Sequence, residues 1–378
     1  MIISLDKYKG SGGGTKVEGD IAISENGIYD VTTYATASVN VQPSDNYSYF
    51  GGVIDVEGLR AIGWNDASIG MYRDNDRHYA WKNSDYIVSE ENKALYGVIV
   101  DANSISSNKD NPNFKYCPFF DTSKVNGMFK LFYECSSLTS IPVLDTSKVT
   151  TMQNMFNGCS SLTSIPLLDS SKVTSMYNMF YGCSSLRSIP QLNTSNVTDM
   201  QFMFNNCSSL TSIPQLNTSN VTSMNGMFSN CRSLTSIPLL DTSKVTNMNS
   251  MFYSCISLTS IPQLDTSNVT NMYNMLYGCT SLTSIPLLDT TNVTDMSYFF
   301  GFSTIDKLTD LGGFKNLSIS ITSYFLDKCP NLTVESLMNV INNLATVSGQ
   351  TLKFGSTNLN KLTAEQIAIA TAKGWTLT

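Results

Sequence analysis

Seven cysteines, Cys135, Cys159, Cys183, Cys207, Cys231, Cys255 and Cys279, stand 24 residues apart without a slip. A column of thiols offers disulfides, metal ligation, or packing alone. Stacked rungs lie roughly 5 Å apart, inside the Cα window for a disulfide, so distance leaves pairing open. Such a bond would close only one 24-residue loop and would twist parallel side chains toward each other. A line of thiols does not offer four tetrahedral ligands, and no CxxC pair occurs. The odd total of nine cysteines favours reduced thiols used as small core residues.

Acid-base chemistry is thinly supplied. The single histidine is His78, in RDNDRHYAW, and histidine is the usual group titrating near neutral pH. Asp74, Asp76 and His78 are the one polar cluster an enzyme could use, and a solvated loop accounts for them better. Asp145 and its repeat equivalents could suggest a calcium column, but each unit lacks the several carboxylates and the glycine-bounded loop of a calcium site. We expect no enzyme, no cofactor and no bound metal.

Recognition is better supplied. In a repeat protein the variable exposed positions carry binding, because packing fixes the rest. Here variation sits on either side of the Met155-Phe156 position, where the copies bring Tyr177, Tyr181, Phe202, Tyr253, Tyr273, Tyr277 and Tyr298 among Asn, Gln, Ser and Gly. Adaptable binding surfaces have this mixture, and aromatic platforms beside amides suit sugar rings. The competing reading is that these rings only cover the turn beneath them.

The elements that hold these residues follow from the repeat. Each unit reads close to CSSLTSIPxLDTSKVTxMxxMFxx. Twenty-four residues cannot bury an apolar face alone, so the units stack and share one core. Cys135, Leu138, Ile141, Leu144, Val149, Met152, Met155 and Phe156 are apolar in nearly every copy and should face inward. The predicted class is an α/β-type solenoid of short strands and helical turns, with Asp145-Thr146-Ser147 as a turn and Pro142 at a strand end.

Four segments are expected. Residues 1–48 read as an arm and a β module, with GSGGG at Gly10 to Gly14 as a hinge. Ile21 and Ile23, Asn26-Gly27 and Ile28 to Val31 mark a hairpin, and Ala35 to Val41 a further strand. Residues 49–110, dense in aromatics, read as an adapter of mixed strand and short helix. Residues 111–302 form the repeats, degenerate at Asp121 and fading at Ser297 to Phe302, where Ser303 stands for the expected Cys. Residues 303–378 cap them, with a helix from Val334 to Leu344 and a capping box at Thr363 to Gln366 before a second helix.

Composition narrows the partners. With 23 basic and 30 acidic residues and net charge -7, no footprint for nucleic acid exists. Neither a secretory signal nor an 18-residue apolar span is expected. A β module as small as residues 1–48 should dock or oligomerise, a trimer being favoured.

Units such as LDTSKVTTMQNMFNGCSSLTSIP resemble BspA-like leucine-rich repeats of bacterial surface and phage proteins. The ending, LTVESLMNVINNL with TLKFGSTNLNKLTAEQIAIATAKGWTLT, is similar to the closing segment of such proteins in gut bacteria and their phages. ISENGIYDVTTYATASVNV resembles a β module of phage tail and virion-surface proteins, and VEGLRAIGWNDASIGMY with HYAWKNSDYIVSEENKALYG looks like a junction module of phage fibres. The resemblance implies a tail or head fibre: it would join other virion proteins through its N-terminal module and hold the repeats toward a host-surface glycan or protein. Localisation on the virion follows from it, the alternative being a bacterial cell-surface adhesin, and a third reading is a structural decoration protein.

Overall fold

The computed structural model describes residues 125–141 and 143–378 in full, and before them the backbone of short strands. The chain forms two compact units, Met1–Val173 and Thr174–Thr378.

In the first unit, β1 (Ile2–Ile3), β2 (Ile21–Ile23) and β3 (Tyr29–Asp30) form an antiparallel sheet in which Ile3 faces Ile21 and Ala22 faces Asp30. The expected hairpin is therefore present, while its Asn26-Gly27 turn and the strand expected at Ala35 to Val41 lie outside the described residues. Ile2–Ile3 was expected in an arm and instead pairs with β2; two residues are too few for a strand pattern to register in sequence. β4 (Tyr47–Tyr49) pairs with β5 (Val53–Asp55), and β6 (Ile69–Asp74) with β7 (Arg77–Lys82). Arg73 faces His78 and Asp74 faces Arg77, so Asp74 and His78 belong to paired strands rather than a loop. Asp76 lies outside the described residues.

Coils 24 residues long make up the described part of this unit from Val125 onward and most of the second. The inward-facing positions are as expected: Cys135, Leu138, Ile141, Leu144, Val149, Met152, Met155 and Phe156 are all buried. Within the second unit, Phe180, Phe204, Phe228 and Phe252 form a column with centroids 5.6 to 5.7 Å apart and planes within 6° of parallel. A phenylalanine at one position of each coil fills the same slot repeatedly, and dispersion along the column adds to the burial of its apolar area.

The secondary structure between these positions differs from the expected strands and helical turns. Around Met224 to Cys231 alternate amides point in two directions. Met227, Ser229 and Cys231 close turns onto Met224, Gly226 and Phe228, while Met224, Gly226 and Phe228 donate to Asn247, Asn249 and Met251 of the next coil at 2.8 to 3.0 Å. This is a chain of tight turns, not a helix, and it needs a left-handed residue every fourth position; Gly226 (φ 58°) and Asn230 (φ 59°) supply it here. Strand pairing shrinks to single bridges, Ser175–Asp199–Ser223–Asn247–Asn271–Asp295. The proline explains the missing strands, because it removes a ladder donor from the middle of the Leu-x-x-Ile-x-x-Leu segment. Where strands do form, Pro286 splits them: β8 (Ser284–Ile285) and β9 (Leu288–Asp289) pair in parallel with β10 (Asp310–Leu311) and β11 (Phe314–Lys315).

Side-chain hydroxyls reinforce the stack. Thr194, Thr218, Thr242 and Thr266 are buried and donate to Asn217, Asp241, Asp265 and Asp289 carbonyls at 2.7 to 2.8 Å. The expected turn chemistry holds, with Ser147, Ser171, Ser243 and Ser267 amides donating to the Asp two residues before. The end is closed by α1 (Val334–Asn343), capped by Thr333, and by α2 (Ser356–Leu359) and α3 (Ala364–Ala372). Thr363 and Gln366 form the reciprocal capping box expected of them. A parallel pair, β12 (Gln350–Leu352) with β13 (Trp375–Leu377), completes the cap.

Candidate functional site: an aromatic patch

All seven candidate aromatics are half-buried, and the second unit divides them unequally. Tyr177 meets Phe202 edge-on at 6.1 Å. Tyr253 stacks on Tyr277 at 4.7 Å, Tyr277 meets Phe302 at 5.8 Å, and Tyr298 joins Tyr273 at 5.9 Å and Phe302 at 5.6 Å. Tyr324 extends the group, 5.6 Å from Tyr298 and 4.4 Å from Phe302. Tyr181 belongs to neither set. Four predicted residues are thus brought into one six-ring patch, and Phe302 and Tyr324 are members that the sequence reading did not single out.

Both additions come from slips in the repeat. Phe302 occupies the position, 24 residues after Gly278, where the left-handed residue is expected; Gly301 (φ 73°) takes that conformation instead, and Phe302 is turned out, 54% exposed. Ser303, expected in the cysteine slot, is exposed, while Ile305 is buried. Tyr324 follows Tyr298 by 26 residues, so a strict period of 24 misses it. The signal available in sequence was Gly301 itself, since a Cβ there would fall 2.2 Å from the Tyr277 ring.

Aromatics of the patch and of the Tyr177–Phe202 pair carry backbone cost. Phe202, Tyr298 and Tyr324 all have φ of 54 to 55°, where other coils place Asn178, Gly226, Ser250 or Asn274. A bulky residue in the left-handed region is uncommon and costs on the order of 1–2 kcal/mol. Strain of that kind collects at functional sites. One cation borders the patch: Lys328 Nζ lies 5.4 Å from the Tyr324 centroid and 3.6 Å from the Asp327 carboxylate.

A second concavity, of about 810 Å³, is lined by Gln191, Asn193, Gln215, Asn217, Asp241 and Gln263 among others. Its amides are already committed, Gln191 and Gln215 donating to the Gln215 and Leu239 carbonyls at 2.6 Å and Gln263 to Leu287 at 2.9 Å. Its polar groups serve the stack.

Among the described residues no group of three or more His, Cys, Asp and Glu is placed to hold a metal ion. The eight described cysteines are buried, reduced thiols, and burial pushes the Cys279 thiol up to about 12, which makes a nucleophilic thiolate unavailable at neutral pH. Among the described residues no helix is long and apolar enough to cross a membrane.

Stacked coils with a repeating Leu-x-x-Ile-x-x-Leu core define a leucine-rich-repeat type of solenoid protein. The chain belongs to the family described as Mycoplasma protein of unknown function, DUF285, whose model matches residues 101–212 and 209–309. No curated protein matches it. It is similar to the solved leucine-rich-repeat protein of T. pallidum, at 19% identity and a TM-score of 0.36 over 57% of this chain and 85% of that one. An internalin from Listeria monocytogenes is similar at 11% identity and TM-score 0.28, over 77% of this chain and 93% of the internalin. A leucine-rich-repeat protein from Bacteroides ovatus is similar at 15% identity and TM-score 0.18, over 66% and 80%.

Proposed function

We propose that this chain is a non-enzymatic attachment protein whose repeats contact a cell surface through the aromatic patch. The observation that supports this is the joining of Tyr253, Tyr273, Tyr277, Tyr298, Phe302 and Tyr324 into one surface, with Phe302 mostly exposed. A turn cover would bury an apolar ring such as Phe302, whereas binding anchors are rigid aromatics left accessible. The setting we propose, from the N-terminal resemblance, is a phage fibre, joined to other virion proteins through residues 1–48 and trimeric.

The test is cell attachment by full-length protein carrying Tyr277→Ser and Phe302→Ser together. Attachment should fall at least tenfold with the unfolding midpoint nearly unchanged; undiminished attachment by a folded variant refutes the proposal and leaves a spacer role. Mass spectrometry of purified particles decides the setting, since recovery from cell envelopes instead would make the chain a bacterial adhesin.

A further inference from the structure

The inter-coil ladder of the second unit lapses at one step. Met272, Asn274 and Leu276 amides donate to Asp295, Ser297 and Phe299 at 2.8 to 3.1 Å, and the same three positions donate in the coil before it, from Met248, Ser250 and Phe252. One coil further on, the Tyr298 amide, whose equivalents Asn178, Phe202, Gly226, Ser250 and Asn274 all donate to the next coil, finds no protein acceptor. The line of single bridges also ends, at Asp295: Ile321 pairs onward with Leu352 but not back. The cause is the 26-residue spacing from Tyr298 to Tyr324, which puts this coil out of register with its neighbour.

A cleft of about 240 Å³ opens where the ladder is missing, between 294–298 and 319–323. Its polar lining includes Asp295, Ser297, Ser320, Thr322 and Ser323, and Tyr298 forms part of its wall. An unpaired main-chain amide retains most of its capacity to bind a ligand oxygen. The cleft thus holds the Tyr298 amide, the hydroxyls of Ser297, Thr322 and Ser323, a single carboxylate and an aromatic face, and no cationic side chain, while the Ser320 hydroxyl is taken up by Gln350 and the Thr351 amide.

We propose that this cleft is a subsite for one neutral pyranose unit of a surface glycan; the proposal rests on the attachment reading and gives it a ligand class. A pyranose has an apolar C–H face for Tyr298 and a rim of hydroxyls, which donate to the Asp295 carboxylate and accept from the Tyr298 amide. The volume equals that of about eight liquid waters, which suits one ring rather than a chain. The absence of a cation in the lining disfavours acidic sugars and phosphate. The surrounding six-ring patch then forms the apron over which the rest of the glycan lies.

Two substitutions test this with minimal risk to the fold. Asp295→Asn keeps the turn, because Asn271 and Asn247 accept the same amide bond one and two coils earlier. Ser297→Tyr obstructs the cleft with the residue that Tyr273 places one coil before. Saturation-transfer NMR on the full-length chain with methyl pyranosides of glucose, galactose, mannose and N-acetylglucosamine should show transfer to at least one. Ser297→Tyr should abolish it, and Asp295→Asn should weaken it about tenfold. No transfer to any of the four, or transfer unchanged in Ser297→Tyr, overturns the subsite. If either occurs while Tyr277→Ser with Phe302→Ser still loses cell attachment, the attachment reading survives alone. If the sugar binds and Ser297→Tyr blocks it, yet the patch variant still attaches, the subsite stands and the attachment reading falls.

Discussion

The Cys231 thiol donates to the Phe204 carbonyl one coil back at 3.1 Å, and the Cys207 amide donates to that same oxygen at 3.0 Å. Cys159, Cys207, Cys255 and Cys279 repeat the thiol bond at 3.0 Å to Phe132, Phe180, Phe228 and Phe252. The cysteine column therefore does more than pack. Each S–H ties a coil to its predecessor, with a weak bond made in a fully buried place where an oxygen's second lone pair would otherwise be unmet.

Only a protonated thiol can donate, and this gives the protein an alkaline limit. Burial raises the thiols of Cys159, Cys231, Cys255 and Cys329 well above the ordinary value of 9.0, and that of Cys279 to about 12. Between those values the unfolded chain has lost protons that the folded chain keeps. Stability is therefore full below pH 9 and declines as pH climbs above it, because the unfolded chain gives up thiol protons that the folded chain holds. Urea midpoints at pH 8 and pH 10 should differ clearly, and Cys231→Ala should shrink the difference. Equal midpoints would show that these thiols ionise alike in both states.

Phe202 lies over Gly226, so close that an added Cβ would stand 2.4 Å from the ring. Gly226 is also at φ 58°. Gly226→Ala should cost about 2–3 kcal/mol, from steric overlap plus the left-handed backbone. In a Phe202→Asn background only the backbone part, about 1 kcal/mol, should remain. Denaturation of the four members of this cycle measures the coupling. Strictly additive effects would mean that the ring and the glycine are independent.

How much of this was legible in sequence depended on whether a feature kept the period. Leu138, Met152 and Phe156 recur in register, so burial followed from counting. Thr363 and Gln366 are a local pair whose bonds need no tertiary context. The strand and helical turn were misread because Leu-x-x-Ile-x-x-Leu carries the spacing of a strand signature, while the recurring proline forbids the ladder such a strand would need. The left-handed residues at Asn178, Gly226 and Asn230 were visible as small or amide types, yet no single copy announces a chain of turns. Phe302 and Tyr324 escaped because the chain slips at Gly301 and again before Tyr324, and a fixed register cannot follow a slip.

Tyr298 offers the sharpest separation of structure from recognition. Its φ of 55° suits asparagine, which holds the equivalent place at Asn274 with the same φ. Tyr298→Asn removes ring contacts with Tyr273, Phe302 and Tyr324, worth about 0.5–1.5 kcal/mol each at most. It also relieves about 1–2 kcal/mol of backbone cost. The three contacts sum to about 1.5–4.5 kcal/mol against the roughly 1–2 relieved, so the net loss of stability should not exceed about 3–4 kcal/mol, while cell attachment falls at least tenfold. Phe202→Asn, outside the patch but relieving the same backbone, is the matched control and should leave attachment intact. If Tyr298→Asn lowered stability beyond that limit and spared attachment, Tyr298 would be part of the stack and the patch would lose its centre.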